Sequence, residues 1–148
     1  MHRIFTSAVL VLAQSPLALA EDTLTAEPQV PTGRFTTALE VRPILTATQA
    51  NWVAVREFDG ADLVYVTQIL AWRCGLLRLR WGVNGEGMQN WPLPPCEEAS
   101  AQPNALPANA LPYVRLPRGS VRTVEVEIVY DDLTEDGASF DRAAVLMP

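Results

Sequence analysis

Residues 63–84 have the sequence LVYVTQILAWRCGLLRLRWGVN, and this stretch indicates the fold class. Its first part, 63–72, is rich in β-branched and aromatic residues, which crowd a helical turn but fit a pleated strand. Both faces of such a strand would be largely apolar. That is typical of a central strand covered on two sides, or of one that bends near Thr67 and Gln68 to serve two packing layers.

Beyond Cys74 and Gly75 the pattern changes to strict alternation. The apolar side of this second run holds Leu77, Leu79, Trp81 and Val83. Arg78 and Arg80 fall on the opposite side. Strict alternation predicts a strand with one buried face and one solvent-exposed face.

Turn signals separate further runs with strand character. Asp59-Gly60 predicts a tight hairpin between 52–58 and the central strand, because both residues tolerate positive φ. A second turn signal lies at 84–87. The remaining runs with strand character are 34–45, 88–91, 113–116, 121–130 and 140–147. No amphipathic helix is predicted.

Together these runs predict an all-β fold, a small and mainly antiparallel β-sandwich of about seven or eight strands. A compact β-barrel is the alternative. Residues 34–148 would form this single domain, with a Pro-rich loop at 92–112. The sequence of residues 21–33 predicts that this segment is a flexible N-terminal arm.

Residues 1–20 have the features of a secretory signal peptide. Arg3 supplies a positive start, the apolar run 4–13 is too short to cross a bilayer, and Ala18-Leu19-Ala20 suits a signal peptidase. We therefore expect a periplasmic or secreted protein with no membrane insertion after signal removal. The use of arginine without lysine indicates a bacterial genome rich in G and C.

Cys74 and Cys96 are the two cysteines of the chain. In an oxidising compartment a disulfide is the default, and their spacing differs from a Cys-x-x-Cys redox motif. We predict that this disulfide ties the end of the second hairpin to its start. In the chain-entropy model such a bond stabilises the fold by about 3 kcal/mol.

The sequence argues against several kinds of chemistry. His2 is the one histidine, it would leave with the signal peptide, and the chain has no lysine. Without these groups we expect no Ser-His-Asp, Cys-His, Ser-Lys or Schiff-base mechanism and no His-bearing zinc site. The net charge of −6 argues against broad nucleic-acid binding. No cofactor is predicted.

Arginines and one tryptophan are the candidate binding residues. Arg73, Arg78 and Arg80 could form a basic stripe that holds an anion or an acidic partner. We favour the alternative, in which they pair with acidic residues such as Glu127 across an exposed sheet. Trp91, beside prolines, is the tryptophan that we expect to be most exposed and the candidate for a sugar platform.

An acidic loop offers a weak calcium motif. Asp132, Thr134 and Asp136 place oxygen-bearing side chains at alternate positions before a glycine. Ala143 stands where an EF-hand needs its bidentate glutamate, so an acidic hairpin loop is the favoured interpretation.

For function we expect a non-catalytic exported β-domain that binds a protein or a surface glycan in the bacterial envelope. One alternative is a small hydrolase that uses paired carboxylates, with Asp131 or Asp132 facing another acid. A calcium-stabilised structural domain is a further alternative. The identity of the partner and the oligomeric state stay open.

Overall fold

The computed structural model describes residues 23–148, so the predicted signal peptide lies outside the described residues. Seven strands and three α-helices follow one another along residues 23–148, with two short 3₁₀ helices at Gln49–Asn51 and Arg73–Gly75. The strands and α-helices are α1 (Ala38–Ala47), β1 (Ala54–Phe58), β2 (Ala61–Tyr65), α2 (Thr67–Leu70), β3 (Leu76–Val83), β4 (Gln89–Trp91), β5 (Tyr113–Pro117), β6 (Thr123–Tyr130), β7 (Glu135–Asp141) and α3 (Arg142–Val145).

The strands form two antiparallel sheets, one with the order β1-β2-β5 and one with the order β4-β3-β6-β7. Val55 and Val64 of the first sheet belong to the same buried core as Leu79 and Ile128 of the second. Two sheets that share one core form a β-sandwich. The predicted all-β sandwich is confirmed.

Local turn chemistry sets the first hairpin. Asp59 and Gly60 both have positive φ, at 50° and 73°, which a two-residue hairpin turn requires. The register pairs Arg56 with Leu63. The predicted hairpin is confirmed.

The predicted strand at 34–45 is wrong, because most of these residues form α1. The buried face of α1 holds Ala38, Val41 and Leu45. This spacing follows the 3.6-residue helical period. Glu40 accepts hydrogen bonds from the Thr36 amide at 3.1 Å and the Thr37 hydroxyl at 2.9 Å, which satisfies groups at the start of the helix. The expectation that the chain holds no amphipathic helix is therefore also wrong.

The predicted single strand at 63–72 is divided. β2 ends at Tyr65, and α2 begins at Thr67, near the bend that the sequence allowed. Three fully buried residues form one face of this turn: Val66, Ile69 and Leu70. As a strand, this run would have apolar residues on both faces. As a short helix, it buries its apolar side chains on one side.

The last strand also lies elsewhere than predicted. β7 uses the acidic segment that was predicted as a loop, whereas most of the predicted strand 140–147 forms α3 and the C-terminus. β7 pairs with β6 from Glu135 to Asp141. Its charges suit a sheet edge, where they discourage pairing with other chains.

The disulfide joins the two ends of the β3–β4 hairpin. Cys74 precedes β3, Cys96 follows β4, and their Cα atoms are 5.0 Å apart. The predicted bond is confirmed. Residues 92–112 contain no helix or strand, so the bond anchors one end of this Pro-rich loop.

The N-terminal segment is docked on the domain. The Glu27 amide donates to the Asp131 carbonyl at 2.7 Å, and Gln29 Nε2 donates to Asp131 Oδ1 at 2.7 Å. The segment predicted as a flexible arm therefore has defined contacts in its described part. No helix among residues 23–148 has the length and apolar character needed to cross a bilayer.

Candidate binding surface

β5 is an edge strand with one unpaired side. The Val66 amide donates to the Pro112 carbonyl at 3.0 Å, which fixes the alternation of the β2–β5 ladder. The backbone groups of Val114 and Leu116 therefore face β2, and those of Tyr113 and Arg115 face outward. Among the described residues β5 pairs with β2 alone. We call this outward side the open edge.

The other edge of the same sheet is covered. Leu146 forms a parallel bridge with Val55 of β1, and the Met147 amide donates to the Val55 carbonyl at 2.8 Å. The C-terminal residues thus engage the backbone of Val55, which points away from β2. The open edge has no such cover within residues 23–148.

A cavity of about 360 Å³ lies beside the open edge. We call it the β4–β5 cavity, because residues of both strands line it. Its apolar wall includes Trp81, Trp91, Pro92, Leu111 and Tyr113. Leu111 is 64% exposed, which leaves a large apolar side chain next to the open edge.

Aromatic and arginine side chains occupy the outer face of the three-stranded sheet. The rings of Tyr65 and Tyr113 lie 5.1 Å apart between centroids, with an interplanar angle of 49°. Arg56 lies over the exposed Phe58 ring at 4.6 Å. Arg115 donates to the Asp59 carbonyl at 2.5 Å.

Arg73 is not a surface residue, so its place in a basic stripe is wrong. It is 2% exposed and donates to five carbonyls, those of Leu70, Pro94, Pro95, Asn104 and Ala105. Burial lowers the pKa of its guanidinium, and Glu97 opposes the change. Arg73 therefore holds the Pro-rich loop rather than a ligand.

Arg78 and Arg80 lie on the outer face of the four-stranded sheet, apart from the open edge. Arg80 stands opposite Glu127 and pairs with it at 3.2 Å, as the favoured interpretation expected. Arg78 stands opposite Val129 and forms no ion pair with the described residues. The basic stripe is thus reduced to one unpaired arginine.

Trp91 is 6% exposed, so the expectation that it is the most exposed tryptophan is wrong. Its ring packs edge to face on Trp81, with centroids 5.7 Å apart, because β4 pairs with β3. Trp72, which is partly buried, is more exposed. Trp91 nevertheless lines the β4–β5 cavity.

Several oxygen atoms of the candidate calcium loop are engaged within the protein. Asp132 Oδ1 accepts from the Thr134 amide at 3.0 Å, and Arg42 pairs with Oδ2. Asp136 Oδ1 accepts from the Gly137 amide at 2.8 Å. Within residues 23–148 no three histidine, cysteine or acidic side chains form a group that could hold a metal ion.

The two carboxylates of the hydrolase alternative differ, because both oxygens of Asp132 are engaged, whereas Asp131 Oδ2 is buried and has no hydrogen-bond partner among residues 23–148. Asp131 is 1% exposed, and its Oδ1 accepts from the Ala38 amide at 2.7 Å. Burial raises the pKa of Asp131, and the hydrogen bonds from Gln29 and Ala38 oppose the rise. Burial would also raise the pKa of Asp132. Hydrogen bonds from Thr134 and Arg42 outweigh this effect, so the pKa of Asp132 is lowered.

The sequence interpretation missed Tyr65, Leu111, Tyr113 and Arg115 as site residues. The signal that could have found them is a pair of prolines, Pro112 just before β5 and Pro117 at its end. Proline within a run of strand character is typical of an edge strand.

Comparisons with models of protein families, with curated proteins and with solved structures find no match.

Proposed function

We propose that this chain is a non-catalytic exported binding domain that holds an extended segment of a partner protein against the open edge of β5. The observation that carries the proposal is the outward direction of the Tyr113 and Arg115 backbone groups. An extended peptide can add to such an edge as a further strand, with main-chain hydrogen bonds supplying affinity.

The β4–β5 cavity offers a place for side chains of the added strand. Successive side chains of a strand point to opposite faces, so every second one would point toward the cavity. The cavity wall is mainly apolar, with Trp91 and Leu111 among its residues. An apolar side chain of the partner would fit there and provide specificity.

The side chains on the other face suit a protein partner as well. Arg115 lies next to the open edge on the outer face, and Tyr113, which also lines the β4–β5 cavity, lies there beside Tyr65. Tyrosine, tryptophan and arginine are enriched among the residues that dominate protein interfaces. Export to the periplasm or the outside of the cell, with the disulfide stabilising the domain, belongs to the same proposal.

The test removes one outward amide. Arg115→Pro deletes the N–H that points away from β2, and the hydrogen bonds of the β2–β5 ladder do not use it. Arg115→Gln keeps that N–H and removes the same guanidinium. Each purified chain is immobilised and incubated with an envelope extract of the source organism, with and without protease treatment of the extract.

We expect the parent chain to capture a protein that protease treatment removes, and Arg115→Pro to lose it while keeping its melting temperature. Arg115→Gln should weaken capture far less. Capture unaffected by Arg115→Pro would contradict the proposal. Captured material that survives protease and is lost after periodate oxidation would instead identify a glycan ligand and overturn it.

A further inference from the structure

A second cavity, of about 400 Å³, lies on the β1 side of the three-stranded sheet, whereas the β4–β5 cavity lies beside β5. We call it the Arg56 cavity. Its lining includes Trp52, Ala54, Arg56, Tyr65, Gln68 and Met147. None of these residues lines the β4–β5 cavity, and the stacked pair of Tyr65 and Tyr113 stands between the two.

Most of the lining of the Arg56 cavity is apolar. Trp52 is fully buried, and its indole N–H donates to the Leu45 carbonyl at 2.9 Å. The one polar group of that ring is therefore satisfied inside the protein. Ala54 adds only a methyl group, and Met147, which is 46% exposed, lies at the rim.

Arg56 is the one charged residue among those that line this cavity. It forms no ion pair with residues 23–148, and its guanidinium lies over the Phe58 ring. Its guanidinium can therefore bind the carboxylate of a ligand without first breaking an ion pair to a carboxylate of the described residues. Asn51, Thr67 and Gln68 supply uncharged polar groups at the same site.

We infer that the Arg56 cavity binds a small amphipathic carboxylate. The carboxylate would pair with Arg56, and the apolar part would lie against Ala54, Tyr65 and Met147. This composition, an apolar cavity with a few polar groups that fix orientation, is typical of small-molecule sites. An arginine favours a carboxylate because its guanidinium can donate two parallel hydrogen bonds.

The test compares three probes that share one alkyl chain: octanoate, octanol and octylammonium. Each is titrated into the purified mature chain by calorimetry, while the Trp52 indole N–H resonance reports on the cavity. We expect octanoate to bind at least about tenfold more tightly than octanol, since a charge-assisted hydrogen bond is stronger than a neutral one. Octylammonium should not bind, because Arg56 repels it.

Three variants locate the binding. Arg56→Gln should reduce octanoate affinity by about tenfold or more and remove the preference over octanol. Ala54→Leu fills the cavity and should abolish binding of both probes without lowering the melting temperature. Arg78→Gln is the matched control, since it removes another unpaired arginine from the opposite sheet, and it should leave octanoate affinity unchanged.

Octanoate that fails to bind, or that binds without moving the Trp52 resonance, would overturn the inference. Equal loss of affinity in Arg56→Gln and Arg78→Gln would also overturn it, because it would indicate general attraction to surface arginines. The outcome is independent of the open edge, since no residue of β5 lines this cavity.

Discussion

Arg142 donates two hydrogen bonds to Asp62, at 2.6 Å to Oδ2 and 3.1 Å to Oδ1. Asp62 lies on β2 and is fully buried, whereas Arg142 follows β7. The pair therefore joins the two sheets. Asp62 also accepts from the Val121 amide at 3.1 Å. The hydrogen bond from Arg142 is the main reason that the pKa of Asp62 falls to about 2.

Asp62→Asn should lower the free energy of unfolding by about 3 kcal/mol at neutral pH, because it removes the buried carboxylate that is the main counter-ion of the partly buried Arg142. The effect should depend on pH. The folded-state pKa of Asp62 lies below its ordinary value of 3.8, so its contribution is complete above about pH 4 and is lost as the pH falls toward 2. Urea unfolding of both chains across this range measures the difference.

Glu57→Gln is the control for that measurement. Glu57 accepts from Arg142 at 2.7 Å, but its side chain is 44% exposed. An exposed pair of this kind contributes no more than about 1 kcal/mol. Two results would be inconsistent with the assigned role of Asp62. One is an equal loss of unfolding free energy in the two variants, and the other is a difference in unfolding free energy between parent and Asp62→Asn that stays constant down to pH 2.

Arg73→Met should free the Pro-rich loop. The substitution replaces the guanidinium with a long apolar side chain and leaves partly buried carbonyls, such as those of Pro94 and Asn104, without their donor. Each unsatisfied buried group costs about 1 to 3 kcal/mol. We expect a loss of at least about 3 kcal/mol in the free energy of unfolding and faster proteolysis within residues 97–111.

Arg78→Met is the matched variant for the loop prediction. Arg78 forms no ion pair or hydrogen bond through its guanidinium with residues 23–148, so its replacement should change stability by less than about 0.5 kcal/mol. If both variants resist protease as the parent does, then Arg73 does not hold the loop.

Gly75→Ala should destabilise the contact between α1 and the disulfide region. A Cβ at this position would lie 2.4 Å from Val41 Cγ2 and 2.8 Å from the Thr37 carbonyl oxygen, both closer than side chains tolerate. Overpacking of this kind costs about 1 to 3 kcal/mol. Thermal melts of the two chains test it, and an unchanged midpoint would mean that α1 does not rest on Gly75.

Local chemistry accounts for the parts of the fold that the sequence predicts. The Asp59-Gly60 turn and the alternation of 121–130 depend on neighbours in the chain, and they appear as the β1–β2 hairpin and β6. The sequence pattern around α1 misleads in two ways. Some of its buried residues fit the two-residue period of a strand, and Pro43 is a residue that usually interrupts helices. Packing on Gly75, which is distant in sequence, decides that these residues form a helix.

The candidate site is less predictable because it too depends on contacts between residues that are distant in sequence. The order of strands in a sheet determines which strand is an edge, and no local pattern states that order. β5 was expected as a short strand, but its open side follows from the pairing of β2 with both β1 and β5. Arg73 shows the converse, since four of the five carbonyls to which it donates belong to residues 94–105, which are distant in sequence.

The Arg80–Glu127 pair should show weak, salt-dependent coupling. The two charges are 3.2 Å apart, and their side chains are 38% and 54% exposed. A double-mutant cycle with Arg80→Gln and Glu127→Gln should give about 0.5 kcal/mol at low ionic strength and less at high salt. Strictly additive effects at low ionic strength would argue against the pairing.

Amide hydrogen exchange of β5 tests the open edge most directly, because it needs no partner. The account predicts fast exchange at Tyr113 and Arg115, whose N–H groups face outward, and slow exchange at Val114 and Leu116, whose N–H groups face β2. Resolved rates for these four amides in the purified mature chain give the answer. Slow exchange at all four would mean that the edge is covered, and it would contradict the proposed docking of a partner strand.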